Sequence, residues 1–154
     1  NYIAGQGAKP IMFPVGVTEL KRKRGFGPWT IQPAPLVPHT IPLQLVTIGS
    51  CAIVAMPTEF TTVAGYRLKT KIKATFGASV QHVAIAGYSN DYAFYVTTPE
   101  EYDVQNYEGA STLFGPHTLA AMLQETGKLA TAMKNGAAVS VGSPVVPPAI
   151  YHKS

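Results

Sequence analysis

Ile41-Pro-Leu-Gln-Leu-Val-Thr-Ile-Gly-Ser-Cys-Ala-Ile-Val-Ala-Met56 is the stretch on which the fold turns. Two apolar, β-rich runs flank Gly49-Ser50, and glycine accepts the positive φ that a tight hairpin turn demands. The run from Cys51 to Met56 is apolar at nearly every position, the pattern of a strand buried on both faces. Beyond Phe60 the period changes. Ala64, Leu68, Ile72 and Phe76 recur every four residues, while Lys69, Lys71 and Lys73 mostly fall off that stripe. This predicts an amphipathic helix that ends before Gly77, where a C-cap glycine belongs. Val80–Ala86 is mostly apolar again and reads as a further strand. Hairpin, helix and strand together predict an α/β fold, a mixed β-sheet with helices packed on it.

Farther along, Thr98-Pro-Glu-Glu101 is a helix start. Thr98 caps, Pro99 suits the first helical position and Glu101 completes a capping box. That short helix is expected to stop near Gly109. A longer helix begins around Pro116, with Leu119, Met122, Leu123, Leu129, Ala130 and Met133 as its core-facing stripe and Gly136 just past its end. Gly127 weakens its middle by roughly 1 kcal/mol relative to alanine. Residues 1–38 are rich in proline and glycine and read as loop, with a short extended piece at Pro10–Val15. Residues 137–154 are unpatterned and resemble a linker or a strap toward a following domain, leaving residues 1–136 as the folded portion.

Of the 154 residues, 46% are apolar, enough for a core, and 13% are charged. An independent small domain usually carries more charge on its surface. Either the protein is compact and unusually apolar, or it is a portion of a larger one whose faces are covered by chain outside it, and we read it as the portion. The net charge of +4 comes largely from Lys21-Arg-Lys-Arg24 and from Lys69, Lys71 and Lys73. The first run, beside Phe26 and Trp29, is either a solvated loop or a contact for an anionic lipid surface. Nucleic acid is not an expected partner, because the basic residues do not alternate with stacking aromatics. The single cysteine, Cys51, excludes an internal disulfide and a cysteine-based metal cage. No segment reaches the ~18 uninterrupted apolar residues of a membrane span.

Two groups of residues are candidates for chemistry. Glu59 follows a predicted buried strand and opens a helix, at the end of a sheet where α/β proteins commonly place their sites. It reads equally as a helix-terminal charge worth up to ~1 kcal/mol. Tyr88, Tyr92, Tyr95, Tyr102 and Tyr107 crowd the segment just beyond Val80–Ala86. Tyrosines are mostly amphipathic packing residues, but a phenol also donates to a developing oxyanion or binds a metal. His39, His82, His117 and His152 show no metal-binding spacing, and Ser89, Ser111 and Ser140 lack a nucleophile-elbow context.

Pro57-Thr-Glu-Phe-Thr-Thr-Val-Ala-Gly-Tyr-Arg-Leu68 resembles the P-G-E-F-T-T-M-A-G-R-R-L element of the neutral ceramidase family. The run from Ala86 through Gly-Tyr-Ser-Asn-Asp-Tyr-Ala-Phe-Tyr-Val-Thr-Thr-Pro-Glu-Glu-Tyr102 to Tyr107-Glu-Gly-Ala-Ser-Thr-Leu-Phe-Gly-Pro-His-Thr118 is similar to that family's most distinctive segment. Pro42–Gly49 fits the strand before the glutamate element. Tyr66 stands in place of an arginine, and Thr58 in place of a glycine.

The resemblance implies the C-terminal part of a zinc-dependent catalytic domain, an amidohydrolase that cleaves the N-acyl bond of ceramide. It implies Glu59 and Tyr95 as metal ligands, to be joined by two histidines from earlier in the chain. Tyr107 is the implied contact to the amide carbonyl or oxyanion, and Tyr102 a second candidate. Zinc polarises the carbonyl and lowers the pKa of water toward ~7. Two ligands fall short of the three that a catalytic zinc normally receives. The chain is therefore expected to need an N-terminal segment or chain, and to bind zinc poorly without it. A secreted, periplasmic or cell-surface enzyme working on a lipid surface is the implied setting. A hydrolase of another N-acyl lipid or amide on the same fold, or a non-catalytic lipid-binding or interaction module, are the alternatives.

Overall fold

A computed structural model describes residue 38 and residues 40–139 of the chain. The basic run with Phe26 and Trp29, Pro10–Val15, His39, His152 and the tail from residue 140 lie outside the described residues. Strands β1 (Gln44–Ile48) and β2 (Cys51–Ala55) form the expected antiparallel hairpin, closed by the Ile48–Cys51 pair. Gly49 makes the turn at φ +56, a conformation that L side chains rarely adopt. After a two-residue strand β3 (Glu59–Phe60), helix α1 (Thr62–Phe76) carries the chain back to β4 (His82–Ala86), which pairs parallel to β2. The sheet order is β1-β2-β4. A second small sheet joins β3 to β5 (Tyr95–Val96), also parallel. The mixed sheet with packed helices is therefore present.

The core follows the predicted periodicities. Ala64, Leu68, Ile72 and Phe76 of α1 are all buried and meet Ala52 and Val54 of β2. Burying side chains of the size of Leu68 and Ile72 contributes ~1.5–3 kcal/mol each. Gly77, at φ +67, ends the helix, and its amide donates to the Lys73 carbonyl. Helix α4 (Thr118–Lys134) packs on α1 and adds Leu119, Met122 and Ala130. Lys134 Nζ ties the two helices by donating to the Thr75 carbonyl at 2.9 Å.

Four expectations need correction. First, β2 is fully buried on one face only. Cys51, Ile53 and Ala55 alternate with the core residues and are half-buried, because α1 and α4 cover one side of the sheet. Their partners Val46 and Ile48 are 52% and 67% exposed. Second, the α4 stripe is only partly as read: Leu119, Met122 and Ala130 are buried and Leu123 packs against the core. Thr126 and Gly127 are buried, whereas Leu129 is half-buried and Met133 exposed. Gly127 lies against Lys71, whose Cε would stand 3.0 Å from an added Cβ, so the missing side chain makes room for that lysine. Third, the short helix does not run to Gly109. α2 (Pro99–Val104) stops where Gln105 turns left-handed at φ 55, and a separate turn, α3 (Tyr107–Ala110), follows. Fourth, Glu59 does not open α1. It sits in β3, and Thr61 is the cap, its Oγ1 accepting from the Ala64 amide at 3.4 Å.

The capping box of α2 forms as read. The Thr98 hydroxyl accepts from the Glu101 amide at 3.1 Å, and Glu101 Oε2 accepts from the Thr98 amide at 2.8 Å. The same oxygen accepts from the Thr61 hydroxyl at 2.6 Å. Arg67 of α1 reaches Glu100 of α2 with two bonds of 3.1 and 3.2 Å. Among the described residues no helix is long and apolar enough to cross a membrane.

Candidate metal and catalytic site

Glu59 and Tyr95, distant in sequence, are direct partners in the β3–β5 register. Backbone bonds impose this meeting. The amides of Ala93 and Glu59 donate to the carbonyls of Pro57 and Phe94 at 2.6 and 2.9 Å. Thr61 extends the ladder by donating to Val96 at 3.1 Å, and the Ser89 amide holds the loop onto Met56 at 3.0 Å. The loop can follow this path because Tyr88, Asn90 and Phe94 adopt left-handed backbone with φ of 55, 68 and 60. Asparagine tolerates that region, but aromatic residues enter it at a cost of ~1–2 kcal/mol each. Two of the three are thus held against their own preference by the surrounding bonds.

The result is a half-exposed carboxylate faced by phenols. Tyr92 makes the fully formed contact, its hydroxyl donating to Glu59 Oε1 at 2.5 Å. Burial works to raise the Glu59 pKa, but the hydroxyls of Tyr88, Tyr92 and Tyr95 outweigh it and hold the group below its usual range. The phenols respond in the opposite sense. The hydrogen bond to anionic Glu59 pushes Tyr92 up to about 12 and also raises Tyr88 and Tyr95. Tyr88 and Tyr92 stack at 5.7 Å with nearly parallel rings. Tyr107 meets Tyr95 edge-on at 5.6 Å and is 72% exposed.

Tyr102 is placed differently. It is half-buried on α2, with its backbone close under Gly109, and it is not among the rings stacked around Glu59. Sequence reasoning had no means of singling out Tyr88 and Tyr92 from the other tyrosines. Their role as carboxylate partners depends on the folded path of the loop, although both fall in the tyrosine-rich segment.

The pair lies between two open clefts that share Phe60, Thr61 and Thr62. One, of about 540 Å³, is lined by Thr58, Glu59, Tyr66, Lys69, Ile85 and Tyr88. The other, of about 480 Å³, is lined by Tyr95, Glu101, Val104, Asn106 and Glu108. Tyr66, at the arginine position, is 70% exposed beside the first cleft. Thr58, at the glycine position, is 1% exposed, and its Oγ1 has no hydrogen-bond partner.

Chemically, an ionised carboxylate beside a phenol is a two-oxygen donor set for a divalent cation, and such a cation favours deprotonation of the phenol. Glu59 and Tyr95 fit that description from one side. Among the described residues no three of His, Cys, Asp and Glu gather at one point, and His82 and His117 are exposed.

Comparison with known proteins agrees with this architecture. Residues 2–124 match the family described as neutral/alkaline non-lysosomal ceramidase, N-terminal. Neutral ceramidase B of Dictyostelium discoideum is 46% identical over 144 residues, which are 92% of this chain and 18% of that protein. The neutral ceramidase of Pseudomonas aeruginosa is 43% identical over 104 residues, covering 67% of this chain and 16% of that protein. A crystal structure of neutral ceramidase from Pseudomonas aeruginosa superposes with a TM-score of 0.70 at 35% identity, over 80% of this chain and 22% of that one. The chain thus spans less than a fifth of the length of these curated relatives. With its two diagnostic segments joined around Glu59 and Tyr95, the chain belongs to the neutral/alkaline ceramidase family.

Proposed function

We propose that this chain supplies part of the active site of a zinc-dependent amidohydrolase that cleaves the N-acyl bond of ceramide to a sphingoid base and a fatty acid. The observation that carries the proposal is the pairing of Glu59 with Tyr95 across β3 and β5. The short share of the relatives' length supports a partner portion of the same enzyme, which would contribute the remaining ligands. The substrate class sets the enzyme at a lipid–water interface and carries the expectation of a secreted, periplasmic or cell-surface location.

Bound zinc would supply Lewis acidity and a nucleophile from water near neutral pH. Glu59 and Tyr95 would hold it through carboxylate and phenol oxygens. Tyr107, whose ring meets Tyr95 edge-on, would be the donor to the amide oxygen, with Tyr102 as the second candidate. Donation there matters most as negative charge grows on that oxygen. Water adds to the carbonyl carbon and the C–N bond breaks. The fatty acid keeps the new oxygen, and the departing nitrogen takes a proton.

The test is made on the enzyme assembled with its N-terminal portion. Glu59→Ala and Tyr95→Phe are each expected to abolish ceramide hydrolysis and zinc retention while the metal-free form still unfolds in one cooperative urea transition. Wild-type turnover in either variant overturns the assignment. Tight stoichiometric zinc binding by residues 1–154 alone would overturn the need for a partner.

A further inference from the structure

We propose that Tyr92 is a positioning residue for Glu59, holding one carboxylate oxygen so that the other is free for the cation. This rests on the reading of Glu59 as a metal ligand. The contact is direct: the Tyr92 hydroxyl donates to Glu59 Oε1 at 2.5 Å. A hydrogen bond to an ionised acceptor is shorter and about twice as strong as a neutral one. A carboxylate on a two-residue strand, half-exposed, would otherwise rotate about its side-chain torsions.

Tyr92 is itself held on several sides. Its amide donates to Asp91 Oδ1 at 2.8 Å. Its ring stacks on Tyr88 with an interplanar angle of 2° and tilts against Phe94 at 5.2 Å. The adjoining Ala93 amide is bonded to Pro57, two residues before Glu59. Tyr88 and Phe94, which both pack against the ring, are the two aromatic residues in left-handed backbone among the described residues. Strained conformations persist where the surroundings over-determine them, and they cluster at functional sites. Here they bring a phenol to one oxygen of one carboxylate. Groups that orient a metal ligand commonly change metal affinity by 10–100-fold when removed.

The experiment uses the assembled enzyme at fixed pH and measures zinc affinity by competition with a chromophoric chelator, beside the melting temperature of the metal-free form. Tyr92→Phe keeps the ring stack and removes the hydroxyl. Its zinc affinity is expected to fall by about 10-fold or more, with the metal-free form still folded and melting cooperatively. Glu59→Ala is run in parallel. If Glu59→Ala loses zinc and Tyr92→Phe binds it as the wild type does, the positioning role is overturned while the ligand role stands. If Glu59→Ala retains zinc, the ligand reading falls and takes this proposal with it. Should Tyr92→Phe unfold, Tyr88→Ala is read against Tyr88→Phe, since both remove the Tyr88 hydroxyl that also faces Glu59 and only Tyr88→Ala removes the ring on which Tyr92 rests. A several-fold loss of affinity in Tyr88→Ala beyond that in Tyr88→Phe supports the proposal, and equal affinities overturn it.

Discussion

The sheet face covered by α1 and α4 and the loop that carries Tyr88, Tyr92 and Tyr95 are held together by different forces. On the covered face, Ala52, Val54, Leu68, Ile72 and Ala130 are wholly removed from solvent and contribute through apolar area. In the loop the decisive atoms are polar and partly exposed, and position comes from individual backbone bonds and one phenol–carboxylate contact. The covered face is sensitive to volume and nearly indifferent to which apolar atom provides it. The loop is indifferent to volume and sensitive to single hydroxyls.

Four substitutions or conditions can break or sharpen that contrast. Leu68→Ala should cost the most stability, about 2–5 kcal/mol, read as a lowered urea midpoint. A loss under 1 kcal/mol would mean that the α1 face is not the core. Tyr107→Phe should leave stability untouched and reduce kcat by about 10²–10³-fold, the usual effect of removing one oxyanion donor. An unchanged kcat would return the donor role to Tyr102. Thr98→Ala removes one half of the capping box and should cost ~1 kcal/mol by the same unfolding measurement.

The smallest effect concerns pH. Hydrogen bonds from Arg67, then from the Glu100 backbone amide and the Thr98 hydroxyl, hold Glu100 at about 2, below its ordinary 4.5. A depressed folded-state pKa stabilises the fold above pH 4.5 and loses that contribution as pH falls toward about 2. Because both partners of the ion pair are exposed, the contribution is small. Glu100→Gln should flatten the stability profile slightly between those pH values, and an unaltered profile would remove the pair from consideration.

The two regions also differed in how far they could be read from sequence. The hairpin at Gly49-Ser50, the α1 stripe and the Thr98–Glu101 box are local patterns, and each formed where its residues predicted. The β3–β5 pairing is two residues long on each side, too short for any periodicity to announce it. Resemblance, not pattern, pointed to Glu59 and Tyr95. The break at Gln105 escaped notice because a left-handed glutamine carries no glycine signature. The share of Thr126 and Gly127 in the buried face of α4 escaped for a related reason. Buried threonine and glycine at Thr126 and Gly127 are not apolar markers, yet Thr126 satisfies its hydroxyl on the Met122 carbonyl and so can be buried.

Glu101 joins the starts of two helices through one oxygen, which serves both Thr98 and Thr61. Glu59 lies two residues before one of those starts, and Tyr95 three before the other. The ladder that pairs Glu59 with Tyr95 is therefore braced just beyond its end by a contact within this chain. On the proposed reading of Glu59 and Tyr95 as ligands, a cation would meet a frame that this chain has already ordered, and little of its binding energy would be diverted into ordering the chain around it.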